Sequence, residues 1–160
     1  MNEDYTPKSD FVALAATGDV PLSGSDLAEG NLKRLIDFTR DSDKSNRDWA
    51  TMALGTYGPD IAETRVALIA AANDVDCDVR GEAIEALARR DPLLALPLVQ
   101  RDLARSECGY GVFEAAGLIA HSSLVDALQA FDRDTDPHNS TIRQAIQACL
   151  SGTPVQAWQH

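Results

Sequence analysis

The sequence predicts an all-α solenoid of about five helical hairpins, and three observations lead there. A nine-residue helical pattern recurs at Asn46–Leu54, Val79–Leu87, Gly111–Ile119 and Ile142–Leu150, at offsets of 33, 32 and 31 residues. Between the copies lie second apolar-periodic segments, each opened by a helix-start signal: Gly58-Pro59-Asp60, Asp91-Pro92 and Ser122-Ser123. The composition agrees. Of 160 residues 44% are hydrophobic but only 6% aromatic, so the core is expected to form from close helix contacts and not from clusters of rings.

Taken in order, Ser9 to Thr17 and Ser25 to Arg40 form a first hairpin, with Phe11, Val12 and Leu14 on one helix and Leu27, Leu32, Leu35, Ile36 and Phe38 on the next. It departs from the repeat pattern, as terminal repeats do when they end an apolar stack. The chain therefore divides as one domain over 1–160: a divergent N-terminal capping hairpin over 7–40, repeats over 41–151 and a C-terminal tail over 152–160. In the repeat helices Ala50, Ala53, Ala83, Ala86, Ala115, Ala116 and Ala145 permit close approach, while Leu54, Leu87, Ile119 and Leu150 fill the space between repeats. Pro97 is expected to loosen the helix that starts at Pro92.

The segment from Asp41 to Leu150 resembles HEAT-like repeats of the short bacterial kind, most clearly where Asp74-Val75-Asp76-Cys77-Asp78-Val79-Arg80 begins a copy. The resemblance implies a right-handed, HEAT/armadillo-like superhelix. It also implies that an aspartate in the inter-repeat turn and an arginine six residues on link successive repeats, which assigns that role to Asp41 with Arg47 and Asp74 with Arg80. The third copy has Ser106 and Val112 in those places, and the fourth has Pro137 before Arg143, with Asp136 one residue off.

A formal charge of -11 argues against general nucleic-acid affinity and would attract a basic protein partner. The absence of a long apolar stretch and the acidic start Met1-Asn2-Glu3-Asp4 give an expectation of neither membrane span nor signal peptide. Three widely spaced cysteines, Cys77, Cys108 and Cys149, suit free thiols in a reducing compartment, so the chain reads as cytoplasmic. Oligomeric state is left open.

Aspartates fall in successive turns: Asp41 and Asp43; Asp74, Asp76 and Asp78; Asp132, Asp134 and Asp136. Helix capping accounts for them most simply, because aspartate accepts backbone N–H bonds at a helix start. The functional alternative is an acidic strip, formed by Asp74, Asp76, Asp78, Asp132, Asp134 and Asp136, that docks a basic protein. Asp74, Asp76, Asp78 and Glu85 also match positions 1, 3, 5 and 12 of a calcium loop, but Val79 stands where that loop needs glycine. No metal, cofactor or catalytic residue is expected: His121, His138 and His160 lack a zinc spacing, no phosphate-loop motif occurs, and Gly55, Gly58, Gly109 and Gly111 read as turn or helix-end residues. Cys77 and Cys108 read as turn thiols and Cys149 as core. Trp49 reads as packing, and Trp158 is the better anchor for a partner.

These readings point to a non-enzymatic protein-interaction adaptor. One alternative is an acidic immunity or antitoxin-like protein that blocks a basic toxin. The other rests on similarity to the HEAT-like repeats of phycobilin lyases, which implies a bilin-attaching enzyme or bilin-binding protein. That similarity matches repeats and no active-site residue.

Overall fold

The computed structural model describes residues 5–156, and every regular element among them is helical. Nine α-helices follow in order: α1 (Asp10–Ala16), α2 (Asp26–Phe38), α3 (Lys44–Tyr57), α4 (Ala62–Ala71), α5 (Cys77–Arg90), α6 (Pro92–Leu103), α7 (Tyr110–Ile119), α8 (Val125–Gln129, after a 3-10 turn at Ser122–Leu124) and α9 (Asn139–Ser151). They make four hairpins and the first helix of a fifth. None is long and apolar enough to cross a membrane.

Local chemistry sets most boundaries. Ser9, Ser25, Asp43, Asp76 and Asp91 cap α1, α2, α3, α5 and α6 by accepting backbone N–H bonds. Two starts differ from expectation. The α4 cap residue is Ile61, with no side-chain bond, while Asp60 is spent on Arg65 at 2.7 Å. The 3-10 turn is capped by His121, whose Nδ1 accepts from the Ser123 N–H at 3.2 Å, so that ring serves a helix end. α6 runs unbroken through Pro97, and the carbonyl that loses its partner belongs to the exposed Leu93.

The odd-numbered helices form one layer, in which α1, α3, α5, α7 and α9 each pack on the next. Even-numbered helices form a second layer, each resting on the odd helix that follows it. The core lies between the layers and contains Leu35, Leu54, Leu68, Ile84, Leu87 and Ile142, all buried. An odd helix thus has neighbours on two sides and the even layer on a third, and among the described residues no helix covers its remaining face.

Glycine sets how tightly the odd layer packs. A Cβ on Gly55 of α3 would stand 2.6 Å from that of Ala86 on α5, and one on Gly111 of α7 would collide with the Gly81 carbonyl. Gly55 and Gly111 do sit in terminal helical turns, but it is the neighbouring helix that requires them to be glycine. Arg90 fastens the same contact: its Nη1 donates to the Gly55 carbonyl at 2.9 Å and its Nη2 to the Gly58 carbonyl at 3.1 Å.

Leu150 is a correction to the expected packing. It is 62% exposed because no helix among the described residues follows α9 to cover it, whereas Leu87 at the centre of the stack is 1% exposed. Leu87→Ala should therefore cost ~2–5 kcal/mol in urea unfolding, and Leu150→Ala should stay within about 0.5 kcal/mol of wild type.

Candidate functional site

The arginines at the starts of α3 and α5 hold the turns together in a ladder. Arg47 donates to both Asp74 carboxylate oxygens, at 2.8 and 3.2 Å, and from its Nη1 to the Asp41 carbonyl at 3.1 Å. Arg80 repeats this one hairpin later, donating to the carbonyls of Asp74 and Val75 at 3.0 and 3.1 Å. Within each six-residue pair the arginine thus meets the backbone of its aspartate, and its charge partner lies further along the chain, for Arg47 in the next turn. For Arg80 that partner is Asp102, 2.7 Å away and 0% exposed, which supplies the carboxylate that Ser106 lacks. Arg101 reaches back from α6 to Asn73 Oδ1 at 2.8 Å. Arg143 closes on its own turn, pairing with Asp132 at 2.9 Å and Asp134 at 2.7 Å.

The turn carboxylates are accordingly engaged. Asp74 accepts from the Asp76 N–H, Asp76 caps α5, and Asp136 accepts from the His138 N–H at 2.7 Å. Lys8 pairs with Asp43, and the Lys44 ammonium lies 3.0 Å from both Asp76 and Asp78. Asp76, Cys77 and Asp78 bring one ligand atom each within 4.8 Å of one another, but Lys44 already supplies the cation there. Glu85, the twelfth residue of the calcium-loop match, lies along α5. Burial raises the thiol pKa of Cys77 and pushes that of Cys108 up to about 12, which leaves neither a ready nucleophile. Trp49 packs partly buried against the core and donates to the Tyr5 carbonyl at 3.1 Å, while Trp158 and His160 lie outside the described residues.

A different set of acids gathers on the free face of the odd layer. A depression of about 320 Å³ is lined by Met52, Thr56 and Tyr57 of α3, Glu82, Glu85 and Arg89 of α5, Tyr110 and Glu114 of α7, and Ala16 at the end of α1. No even-numbered helix contributes. Helical spacing makes the stripes: Met52 and Thr56 are four apart, Glu82, Glu85 and Arg89 fall at i, i+3 and i+7, and Tyr110 and Glu114 are again four apart. Asp48, one turn before Met52, acts electrostatically on Glu82 from α3.

Among the described residues four carboxylates thus share this region with one guanidinium, that of Arg89, which bonds Glu85 at 2.8 Å. Burial pushes the Glu82 carboxyl pKa up to about 8, with Asp48, Glu85 and Glu114 adding repulsion. Burial likewise lifts Glu114, 6% exposed, to about 7, with Glu85 adding to it. Asp48 is raised too, chiefly by burial, and the Tyr5 hydroxyl bound to it opposes the shift. Groups held so far from their ordinary range, in a depression, mark a functional surface more often than a random one.

Beside the turn aspartates the sequence drew attention to Glu85 alone of these acids, and to it only as the twelfth residue of the calcium-loop match. One signal was available: Glu82 and Glu114 occupy the same register of successive repeats, 32 residues apart, inside otherwise apolar helices.

A family model described as HEAT repeats matches residues 32–112, from within α2 into α7. The chain belongs to the HEAT-repeat family. No curated protein matches it. Among solved structures it is similar to the X-ray structure of YibA from E. coli, a structural-genomics target, at 19% identity and a TM-score of 0.55. The match covers 86% of this chain and 54% of YibA, so the chain spans about half the length of that relative. The likeness is one of fold. HEAT repeats are in general protein-interaction scaffolds.

Two predictions follow from the electrostatics. Asp102→Asn leaves the Arg80 guanidinium buried without its counter-charge and should cost ~3–5 kcal/mol in urea unfolding. Glu82 behaves differently, because its folded pKa lies above the unfolded value of about 4.3. Between that value and about 8 the folded state holds the extra proton, so stability falls as pH rises through the window. Glu82→Gln should therefore raise the melting temperature at pH 8.5 by at least ~2–4 °C, about 1 kcal/mol for a chain of this size, and do far less near pH 4.

Proposed function

We propose that this HEAT-repeat protein is a non-enzymatic, cytoplasmic docking module that receives a basic segment of a partner protein in the groove shared by α3, α5 and α7. The observation that carries the reading is that Glu82 and Glu85 of α5 and Glu114 of α7 line one depression, with Asp48 of α3 acting on Glu82 beside it, and that among the described residues Arg89 is the one base in the lining. Holding these carboxylates together costs stability, and a cost of that kind is kept where binding needs it. Arginine or lysine side chains would remove the repulsion, Met52 would cover their alkyl stems, and the exposed Tyr57 and Tyr110 rings offer faces for a cation. The chain's overall charge of -11 would draw such a segment in from a distance.

The turn strip is the competing surface, and matched variants separate the two. Acetyl-hexa-arginine amide is titrated calorimetrically at pH 8 and low salt into wild type, Glu82→Gln/Glu114→Gln and Asp78→Asn/Asp134→Asn, so that both double variants lose the same formal charge. The groove pair should weaken binding at least ~10-fold, about 1.4 kcal/mol, and the strip pair less than ~3-fold. Equal losses, or a larger loss from the strip pair, would reject the groove as the docking surface.

A further inference from the structure

The groove carboxylates are close because their helices are. Where Gly81 faces Gly111 no side chain separates α5 from α7, and Glu82 and Glu114 follow those glycines by one and three residues on the free face. Asp48 stands on the α3 side and Glu85 one turn along α5, so each ionisation opposes the next.

Among the described residues, those around the groove supply little positive charge. From α3 the region receives Asp48 and Tyr57, from α5 Glu82, Glu85 and Arg89, and from α7 Tyr110 and Glu114. Lys44, at the start of α3, acts on Asp48, but its ammonium is bound to Asp76 and Asp78, which themselves repel Asp48. The Tyr5 hydroxyl bonds Asp48. On the α9 side, Thr141 meets the Tyr110 hydroxyl at 3.0 Å, and the His138 ring packs 4.8 Å from that of Tyr110. α1 contributes only Ala16 to the groove, and α4 and α6 lie on the opposite side of the odd layer.

We infer that docking in this groove is proton-linked: a basic segment that settles there displaces a proton from the Glu82/Glu114 cluster, so its affinity rises with pH through the neutral range. This rests on the docking reading above. The balance is simple, since a neutral carboxylic acid and a guanidinium become an ion pair and the proton leaves to solvent. The elevated values of about 8 for Glu82 and about 7 for Glu114 place the change where one or both acids are neutral in the free protein. The proton belongs to the coupled cluster and not to either glutamate alone. Linkage then changes affinity by up to about tenfold per pH unit for each proton released.

The test uses acetyl-hexa-arginine amide, which does not titrate in this range. Calorimetry at pH 7 in phosphate and in Tris, whose ionisation heats differ, counts protons released, and titrations from pH 6 to 8.5 give the affinity profile. Carboxyl-carbon NMR reads Glu82 and Glu114 directly in the free and peptide-saturated protein. Proton release with affinity rising at least ~10-fold from pH 6 to 8, together with both resonances moving to the ionised position on docking, is the expected result. Binding without proton release, or glutamate resonances already ionised in the free protein at pH 6, would overturn the proton linkage and leave the docking reading in place. Failure of the peptide to bind even at pH 8.5 would overturn the docking reading, and the linkage with it.

Discussion

At the crossing of α5 and α7 two glycines face one another, and at the crossing of α3 and α5 a glycine faces an alanine. These contacts set the spacing of the odd layer, and the rest of the architecture follows from it. Helices separated by little more than backbone bring their side chains out on both flanks at short range. On one flank the even helices fill the gaps with leucine, valine and alanine. On the other flank no helix among the described residues covers the surface, and charged side chains from three repeats are pressed together there. A layer spaced by larger residues would keep the same fold and lose the crowding.

The arginine ladder complements this spacing along a different edge. Arg47 and Arg80 each bond the backbone of the turn before them and a carboxylate beyond, so successive turns are tied by charge-assisted hydrogen bonds. Burial makes the Arg80 rung the one that matters most energetically, because a buried charge without its partner is penalised heavily. The acids of the turns thereby serve the fold, and those of the opposite face are the ones that few bases oppose among the described residues.

Much of the fold was legible in the sequence because its determinants are local. Repeat spacing and the caps at Ser9, Ser25, Asp43, Asp76 and Asp91 depend on residues a few positions apart. The misreadings concern residues whose role is set by another repeat. Leu150 carries the same pattern as Leu87 but is followed by no helix among the described residues. Asp102 replaces an expected turn carboxylate from a position on α6 that no spacing rule connects to Arg80. Glu82 and Glu114 were not singled out, since apolar periodicity identifies the face turned to the core and says nothing of what the opposite face meets. The clue to their crowding was glycine, and within a short window a glycine that admits a neighbouring helix resembles one that ends a helix.

The groove has a further property that comes from its construction across repeats. No single hairpin contains it: α3, α5 and α7 belong to three of them, and each contributes only one or a few polar groups. Repeat arrays commonly change by gaining or losing whole units. In a stack built this way such an event would not tune the surface but create or erase it at a stroke, because inserting one hairpin between α5 and α7 would part Glu82 from Glu114 while leaving every repeat intact. The surface is inherited as an order of repeats, and a lineage could keep the fold for as long as it liked after that order, and the partner recognised by it, had gone.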